Sequence, residues 1–266
     1  MKIYTLGTSH GDSTFCRFNS STVYEVSDGT FYLVDAGAPC EALMRRKGLE
    51  RNNLRAAFIT HMHDDHAGGI SGLIKQLIKY GKNRGNLFSL YLPEETAIEP
   101  LKNWIKALHE DADFEKIEYN SVCDGEIYSD ENLNVTAIRT AHLRTKGRLD
   151  GDPCSFAYVL HFKKENIKIL HTGDLKADFS DFPKIAHTTD FDLCICEATH
   201  YKPETALEIL KKSKFKRLIF NHIGDEWHNR IDCDKKEIKG EENLLNHCKD
   251  LPYSVNIAHD GDEFEI

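Results

Sequence analysis

Six residues, His61-Met62-His63-Asp64-Asp65-His66, constrain this chain more than any other stretch. Three imidazoles and two carboxylates follow directly on the apolar run Ala56-Ala57-Phe58-Ile59-Thr60. Polar groups crowded at the end of a buried strand carry a steep desolvation cost unless each finds a partner. A divalent metal is one such partner. Neutral imidazole and carboxylate are the ligands that borderline ions take, and a tight loop can aim several of them at one point. The alternative reading of these six residues is a solvated His-rich loop, so the decision rests on what else the chain brings to the same place.

Further metal-capable side chains recur at strand ends. His61 follows the predicted strand Ala56–Thr60, and His142 follows Val135–Arg139. Asp174 follows Ile167–His171 through Thr172-Gly173, and His222 follows Arg217–Asn221. In layered α/β folds, ligands bind in the crevice outside the carboxyl ends of the strands. A single His at a strand end is usually a packed or loop residue; four such ends converge less easily by accident.

Between these points strands alternate with helices. Thr22–Val26 and Phe31–Asp35 flank Ser27-Asp28-Gly29-Thr30, a hairpin signal. Cys40–Lys47 reads as a short helix stopped by Gly48. Ile70, Leu73, Ile74, Leu77 and Ile78 have helical spacing, as do Leu101, Trp104, Ile105 and Leu108, and both stripes read as core packing. Strands are also expected at Lys2–Leu6, Phe88–Leu92, Ser155–Phe162 and Leu193–Glu197, and helices at Glu204–Lys212 and Asn243–Lys249. Hairpins recur in both halves, which predicts two packed sheets with helices outside, in one domain over residues 1–266.

Composition narrows the function classes. With 43 acidic against 34 basic residues, the net charge of −9 disfavours a broad footprint on extended nucleic acid, which rests on Lys and Arg neutralising phosphates. No apolar run has the length of a membrane span, and the first residues lack a signal-peptide core. The eight cysteines are scattered, with Cys194-x-Cys196 the one close pair and no CxxC. These features predict a cytoplasmic protein with reduced, mostly buried thiols.

Taken together, His61-x-His63-x-Asp65-His66, His142, Thr172-Gly173-Asp174 and His222 resemble the metallo-β-lactamase superfamily in its two-metal form, over nearly the whole chain. The resemblance implies an α/β fold, a four-layer αββα sandwich with the active site on one edge. It also implies that His61, His63 and His142 hold one divalent ion, that Asp65, His66 and His222 hold a second, and that Asp174 bridges them. Zinc β-lactamases lack the bridging acid, which argues against antibiotic hydrolysis, and iron members carry an acid where this chain has His63, which argues against a diiron reductase; zinc is the first choice of metal, with manganese or iron as alternatives. Leu6-Gly7-Thr8, Arg17-x-Asn19-Ser20-Ser21, Tyr32-Leu33-Val34-Asp35-Ala36-Gly37 and Glu197-Ala198-Thr199 look like the ribonuclease Z branch and its phosphodiesterase relatives.

In that branch an acid and a His ahead of the last ligand act on the leaving group, which points to Glu197 and His200. The rival reading is that they cap the following helix or sit behind the ligands as supporting residues. Asp65 is expected both to bind metal and to orient the attacking hydroxide shared by the two ions, while His200, steadied by Glu197, protonates the departing oxygen. Asp35 is expected to steady the His-rich loop, as the matching residue does in relatives. His171 is either a neighbour of Asp174 or a buried strand His, and His10 and His228 lie in loops near the motifs.

Two departures from the branch bear on substrate. Only 31 residues separate His142 from Asp174, too few for the long arm with which ribonuclease Z grips tRNA. The basic cluster Arg144, Lys146 and Arg148 could meet a small anion or simply be a solvated loop. The expectation is therefore a phosphodiesterase for a small or cyclic phosphodiester or short nucleic acid. Lactone or thioester hydrolysis is the second reading, disfavoured by the 75 residues between His66 and His142, and a non-catalytic metal sensor is the third.

Overall fold

The structure is a computed structural model that describes residues 1–11, 14, 16–80, 87–110, 115–143, 154–231 and 236–266. In chain order the first half runs β1 (Lys2–Gly7), β2 (Ser21–Glu25), β3 (Phe31–Val34), α1 (Cys40–Arg46) and β4 (Leu54–Phe58). It continues with α2 (Asp64–Ala67), α3 (Ile70–Tyr80), β5 (Phe88–Leu92), α4 (Ile98–Leu108) and β6 (Ile117–Ser121). Next come β7 (Gly125–Ser129), β8 (Leu133–Arg139), β9 (Phe156–Phe162), β10 (Ile167–His171), β11 (Leu193–Ala198), α5 (Pro203–Leu210) and β12 (Arg217–Ile223). The chain ends with β13 (Asn229–Ile231), β14 (Glu237–Lys239), α6 (Gly240–His247), β15 (Ser254–Ile257) and β16 (Asp262–Glu265).

Two seven-stranded sheets form the body, ordered β16-β1-β2-β3-β4-β5-β6 and β15-β12-β11-β10-β9-β8-β7. Each is half antiparallel and half parallel: β3 through β6 run parallel in one, and β10, β11, β12 and β15 in the other. Alternation along single strands explains the layering. On β3, Phe31 and Leu33 face α1 and α3, while Tyr32 and Val34 face the opposite sheet. On β11, Cys194 and Cys196 join the apolar layer under α5 and α6, and Leu193 and Ile195 fill the space between the sheets. Three apolar layers therefore separate four layers of structure, the α/β sandwich of the metallo-β-lactamase fold.

The central layer is aromatic. Tyr24, Tyr32, Phe58, Phe156, Tyr158 and Phe162 are fully buried there, each contributing about 1.5–3 kcal/mol. Buried tyrosines need partners for their hydroxyls, and they find them across the layers. Tyr158 donates to the Ile59 carbonyl at 2.6 Å, Tyr32 to Asp130 at 2.7 Å, and Tyr24 lies 2.8 Å from His171 Nδ1.

The predicted hairpin turn is present, with Gly29 at φ 81° and Thr30 N–H donating to Asp28 Oδ1 at 3.0 Å. Several boundaries differ from the sequence reading. β4 ends at Phe58 rather than Thr60, because the Thr60 N–H leaves the sheet to donate to Asp35 Oδ1 at 2.8 Å. β3 ends at Val34 because Asp35 turns to φ 60°. β6, β7 and the β13–β14 ribbon have weak alternation and were not foreseen, and the last helix begins at Gly240 rather than Asn243. The α4 stripe is corrected most. Ile105 is buried, but Trp104 and Leu108 are 59% and 52% exposed, so the core takes a narrower face of this helix than its periodicity implies.

β8 and β10 both pair antiparallel with β9, so they run the same way and end at one edge, beside the ends of the parallel strands β11 and β12. That edge, with the ends of β3 and β4 facing it, carries every strand-end residue singled out in the sequence.

Candidate metal centre

All seven expected ligands meet at this edge. His61, His63, His142 and Asp174 place one ligand atom each within 4.8 Å of one another, and so do Asp65, His66 and His222. Asp174 stands between the two groups. Its Oδ2 lies 3.5 Å from His61 Nε2 and 3.7 Å from His142 Nε2, whereas its Oδ1 lies 3.4 Å from His66 Nε2 and 3.5 Å from His222 Nε2. Asp65 Oδ2 is 3.0 Å from His222 Nε2 and 3.2 Å from His66 Nε2.

The donor set fits divalent ions on two observations. Three buried atoms aimed into the cluster, His66 Nε2, His142 Nε2 and Asp174 Oδ1, have no hydrogen-bond partner, an arrangement that costs free energy unless something else occupies them. The spacing also suits metal: two donors held tetrahedrally at roughly 2.1 Å from one ion stand roughly 3.4 Å apart. The Asp174 contacts cluster about that separation.

The outward nitrogens of the imidazoles are held by the rest of the protein. His66 Nδ1 lies 2.7 Å from Asp35 Oδ2, and the same carboxylate accepts from the N–H and hydroxyl of Thr60. His222 Nδ1 lies 3.1 Å from Thr199 Oγ1, whose own proton goes to the His222 carbonyl. His142 Nδ1 lies 3.2 Å from the Leu175 carbonyl, and His61 Nδ1 3.2 Å from Thr60 Oγ1. With Nδ1–H donating in each case, Nε2 is left as the lone pair facing the cluster.

Backbone strain concentrates here. Asp35 and His222 adopt φ of 60° and 51°, a region that costs a non-glycine residue of order 1–3 kcal/mol and persists only where surroundings fix it. Gly173, before Asp174, has φ 58°, and a Cβ there would stand 2.8 Å from the Thr60 side chain, so no larger residue fits between the two sheets.

Charge follows the geometry. Burial opposes ionisation of Asp174 and Asp65, yet the facing imidazoles hold both far below the usual carboxylate range. Burial also opposes a charged His66, but Asp174 and Asp35 raise it well above its ordinary value. His61, buried and beside His66, is pushed well down. A protein without metal thus keeps positive charge in this nest as protons, and cations binding there displace them.

Glu197 and His200 adjoin the cluster. His200 lies 4.5 Å from the His142 ring and 5.5 Å from that of His222, centroid to centroid. Glu197 Oε2 sits 2.7 Å from His200 Nδ1 and accepts the N–H groups of Thr199 and His200, while Oε1 accepts from Leu175 N–H. Neither residue caps α5, which starts at Pro203 after Lys202. Glu197, His200, Asp174 and His222 also have ligand atoms within 4.8 Å of one another. Because both Glu197 oxygens are engaged, this pair is built to hold an imidazole rather than to ligate. Burial works against a charged His200, but the Glu197 hydrogen bond overrides it and raises His200 to about 9.

The remaining sequence expectations divide. His171 is a buried strand His lowered to about 4 by burial. His10 Nε2 lies 3.1 Å from Asp225, and His228 Nδ1 3.6 Å from the same carboxylate, beside the cluster's His222 segment. Arg144, Lys146 and Arg148 lie outside the described residues. Three supporting residues had no signal in the sequence: Thr199 as the partner of His222, Leu175 as that of His142, and Asp181, whose carboxylate accepts from Ala141 and Lys176 N–H at 2.8 and 3.0 Å. Each contact spans 23 or more residues or lies in a loop without periodicity.

Fold and site together define a metal-dependent hydrolase of the metallo-β-lactamase superfamily, close to the ribonuclease Z and phosphodiesterase branch. The chain belongs to the family described as Anti-Pycsar protein Apyc1, whose model matches residues 1–236. Among curated proteins it is similar to ribonuclease Z of Clostridium botulinum (strain Alaska E43 / Type E3), 24% identical over 313 residues that cover 96% of this chain and 95% of that one. Among solved structures, human tRNase Z, short form, superposes with a TM-score of 0.72 at 19% identity, covering 100% of this chain and 99% of that one. A diphosphatase from the PhnP family gives a TM-score of 0.67 at 20% identity, covering 100% and 97%. No helix among the described residues is long and apolar enough to cross a membrane.

Proposed function

We propose that residues 1–266 form one hydrolase domain that holds two divalent ions, zinc first among them with manganese or iron as alternatives, and cleaves a small or cyclic phosphodiester. The observation that carries this is the division of Asp174, with one oxygen toward His61 and His142 and the other toward His66 and His222. His61, His63 and His142 would hold one ion, Asp65, His66 and His222 the other, with Asp174 between them. When bound, such a pair supplies a nucleophilic water of near-neutral pKa and positive charge for the phosphoryl oxygens.

The chain's own residues supply the rest. Asp65, anchored by His222 and His66, presents its remaining carboxylate edge to orient the attacking water. His200 keeps Nδ1 on Glu197 and offers Nε2–H to the departing oxygen, so the leaving group departs protonated. The side chain is 31% exposed, consistent with contact to a substrate arriving from solvent. Ribonuclease Z, tRNase Z and the diphosphatase among the relatives are named for RNA and diphosphate substrates, which supports phosphoryl chemistry, and the −9 charge with the short His142–Asp174 spacing favours a small substrate over an extended nucleic acid. A cytoplasmic site of action suits the described cysteines, which form no disulfide.

The test is metal analysis of the purified chain followed by a panel of bis-aryl phosphate, cyclic nucleotide, lactone and thioester. Two ions per chain with phosphodiester turnover, lost in His66→Ala, is the expected result. Turnover confined to the lactone or thioester, or two ions with turnover of none, would overturn the phosphodiesterase reading.

A further inference from the structure

We propose that Asp181 is a positioning residue for His142, within the half of the centre that also holds His61 and His63, and that it sets the candidate acid His200 through one shared peptide. This rests on reading that group as a metal site. Asp181 Oδ2 accepts the N–H of Ala141, the residue before His142, and Oδ1 accepts the N–H of Lys176, two residues after Asp174. One carboxylate therefore ties the segment leaving β8 to the segment leaving β10. These two excursions carry His142 and Asp174, both far in sequence from the His-rich loop.

Between those anchors lies Leu175, whose peptide faces both ways. Its carbonyl meets His142 Nδ1 at 3.2 Å, and its N–H donates to Glu197 Oε1 at 2.5 Å. Glu197 in turn holds His200 Nδ1 at 2.7 Å. A shift of Leu175 would move a metal ligand and the acid's anchor together. With Ala141 next to His142 and Lys176 next to Leu175 both pinned by Asp181, the His142 imidazole keeps its proton on Nδ1 and its lone pair on Nε2.

The loop bearing Asp181 is built to stay put. Phe179 and Phe182 are buried on either side of it, stacked at 4.7 Å, and Phe179 meets Tyr201 edge-on at 4.4 Å. Tyr201 donates to the Glu197 carbonyl, so the same aromatic group also backs the acid. Phe179 takes φ 56°, a strained conformation for a bulky side chain, and Asp178 closes the turn by accepting from Ser180 N–H at 3.1 Å. Strain held by packing is what a fixed carboxylate requires.

The test uses the full chain stripped of metal, as wild type, Asp181→Ala and Asp181→Asn, titrated with Zn²⁺ alone by calorimetry. Asp181→Ala is expected to weaken one of two binding steps by about tenfold or more while the other stays within about twofold. Asp181→Asn, which keeps one acceptor oxygen, falls between, and remains informative should the alanine variant misfold. Imidazole ¹⁵N spectra of the metal-free proteins give an independent readout: His142 is a single Nδ1–H tautomer in wild type and a mixture in Asp181→Ala. Unchanged zinc steps, equal weakening of both steps with a lowered unfolding midpoint, or an unchanged His142 tautomer would overturn the positioning role. A wild type that binds zinc without phosphodiester turnover refutes the proposed reaction and leaves the Asp181 result standing. A wild type that binds no zinc refutes the metal reading, and the tautomer measurement then decides alone.

Discussion

The two halves of the candidate centre are built differently. Asp65, His66 and His222 are all buried, and the outward nitrogens of the two imidazoles rest on Asp35 and Thr199, residues at or beside the strand ends themselves. In the other half His61 is buried, but His63 is exposed and His142 half-buried, and His142 is steadied by a loop carbonyl. The first half is fixed by the sandwich; in the second, His61 shares that support through Thr60, but His142 is fixed by a loop. Since the closed half excludes water and its partners cannot rearrange, it should bind its ion more tightly. Under the proposed reaction the open half would admit substrate, beside the more exposed side chains of His63, His142 and His200.

Variants can break this contrast at successive depths. Asp174→Ala removes the one carboxylate common to both halves, so metal analysis should find neither ion retained at stoichiometry. Turnover should fall by more than about a hundredfold, beyond the usual loss for an outer partner. His200→Ala should lower turnover of substrates with poor leaving groups by about 10²–10⁴-fold and spare activated aryl esters, because only the former need a proton. Equal losses on both would remove the acid role.

Asp35→Ala and Asp181→Ala compare the supports directly. The first breaks a buried pair with His66 and should cost about 3–5 kcal/mol in urea unfolding. The second removes two hydrogen bonds from a half-buried loop and should cost about 1–2 kcal/mol. Reversal of that order would mean that the loop, not the sandwich, anchors the site. A chelator titration should likewise pass through a one-ion species, and simultaneous loss of both ions would erase the distinction.

The smallest effect is on proton binding. In the metal-free protein Glu197 raises His200 to about 9 against an ordinary 6.5. The charged pair thus stabilises fully below pH 6.5, and the contribution disappears as pH rises through about 9. His171 has the opposite sign, because burial lowers it to about 4. Its contribution is complete above pH 6.5 and is lost as pH falls toward 4. NMR titration of the two imidazoles checks both, and Glu197→Gln should return His200 toward its ordinary value.

Much of the candidate centre was legible in the chain because its ligands follow strands. An apolar run with β-branched and aromatic residues marks where a strand ends, and a parallel arrangement carries those ends to a common edge, so His61, His142, Asp174 and His222 could be grouped from spacing. Cys194 and Cys196, two apart on β11, share one face of the strand and lie in a buried layer. The α4 stripe shows its limit: Trp104 and Leu108 have helical spacing, but whether a neighbour covers that face depends on elements distant in sequence.

What the sequence by itself determined was the identity and order of the chemical groups, since each motif is a local pattern of side chains along one strand end. Only the tertiary structure decided how they are used. The two Asp174 oxygens are divided between two sets of imidazoles, and Thr199 and Asp181 hold ligand segments from positions with no spacing relation to them, whereas the Asp35 contact with the His-rich loop was already expected from the motif. Hydrogen-bond direction and burial are properties of neighbours in space, and no local pattern encodes which neighbour arrives.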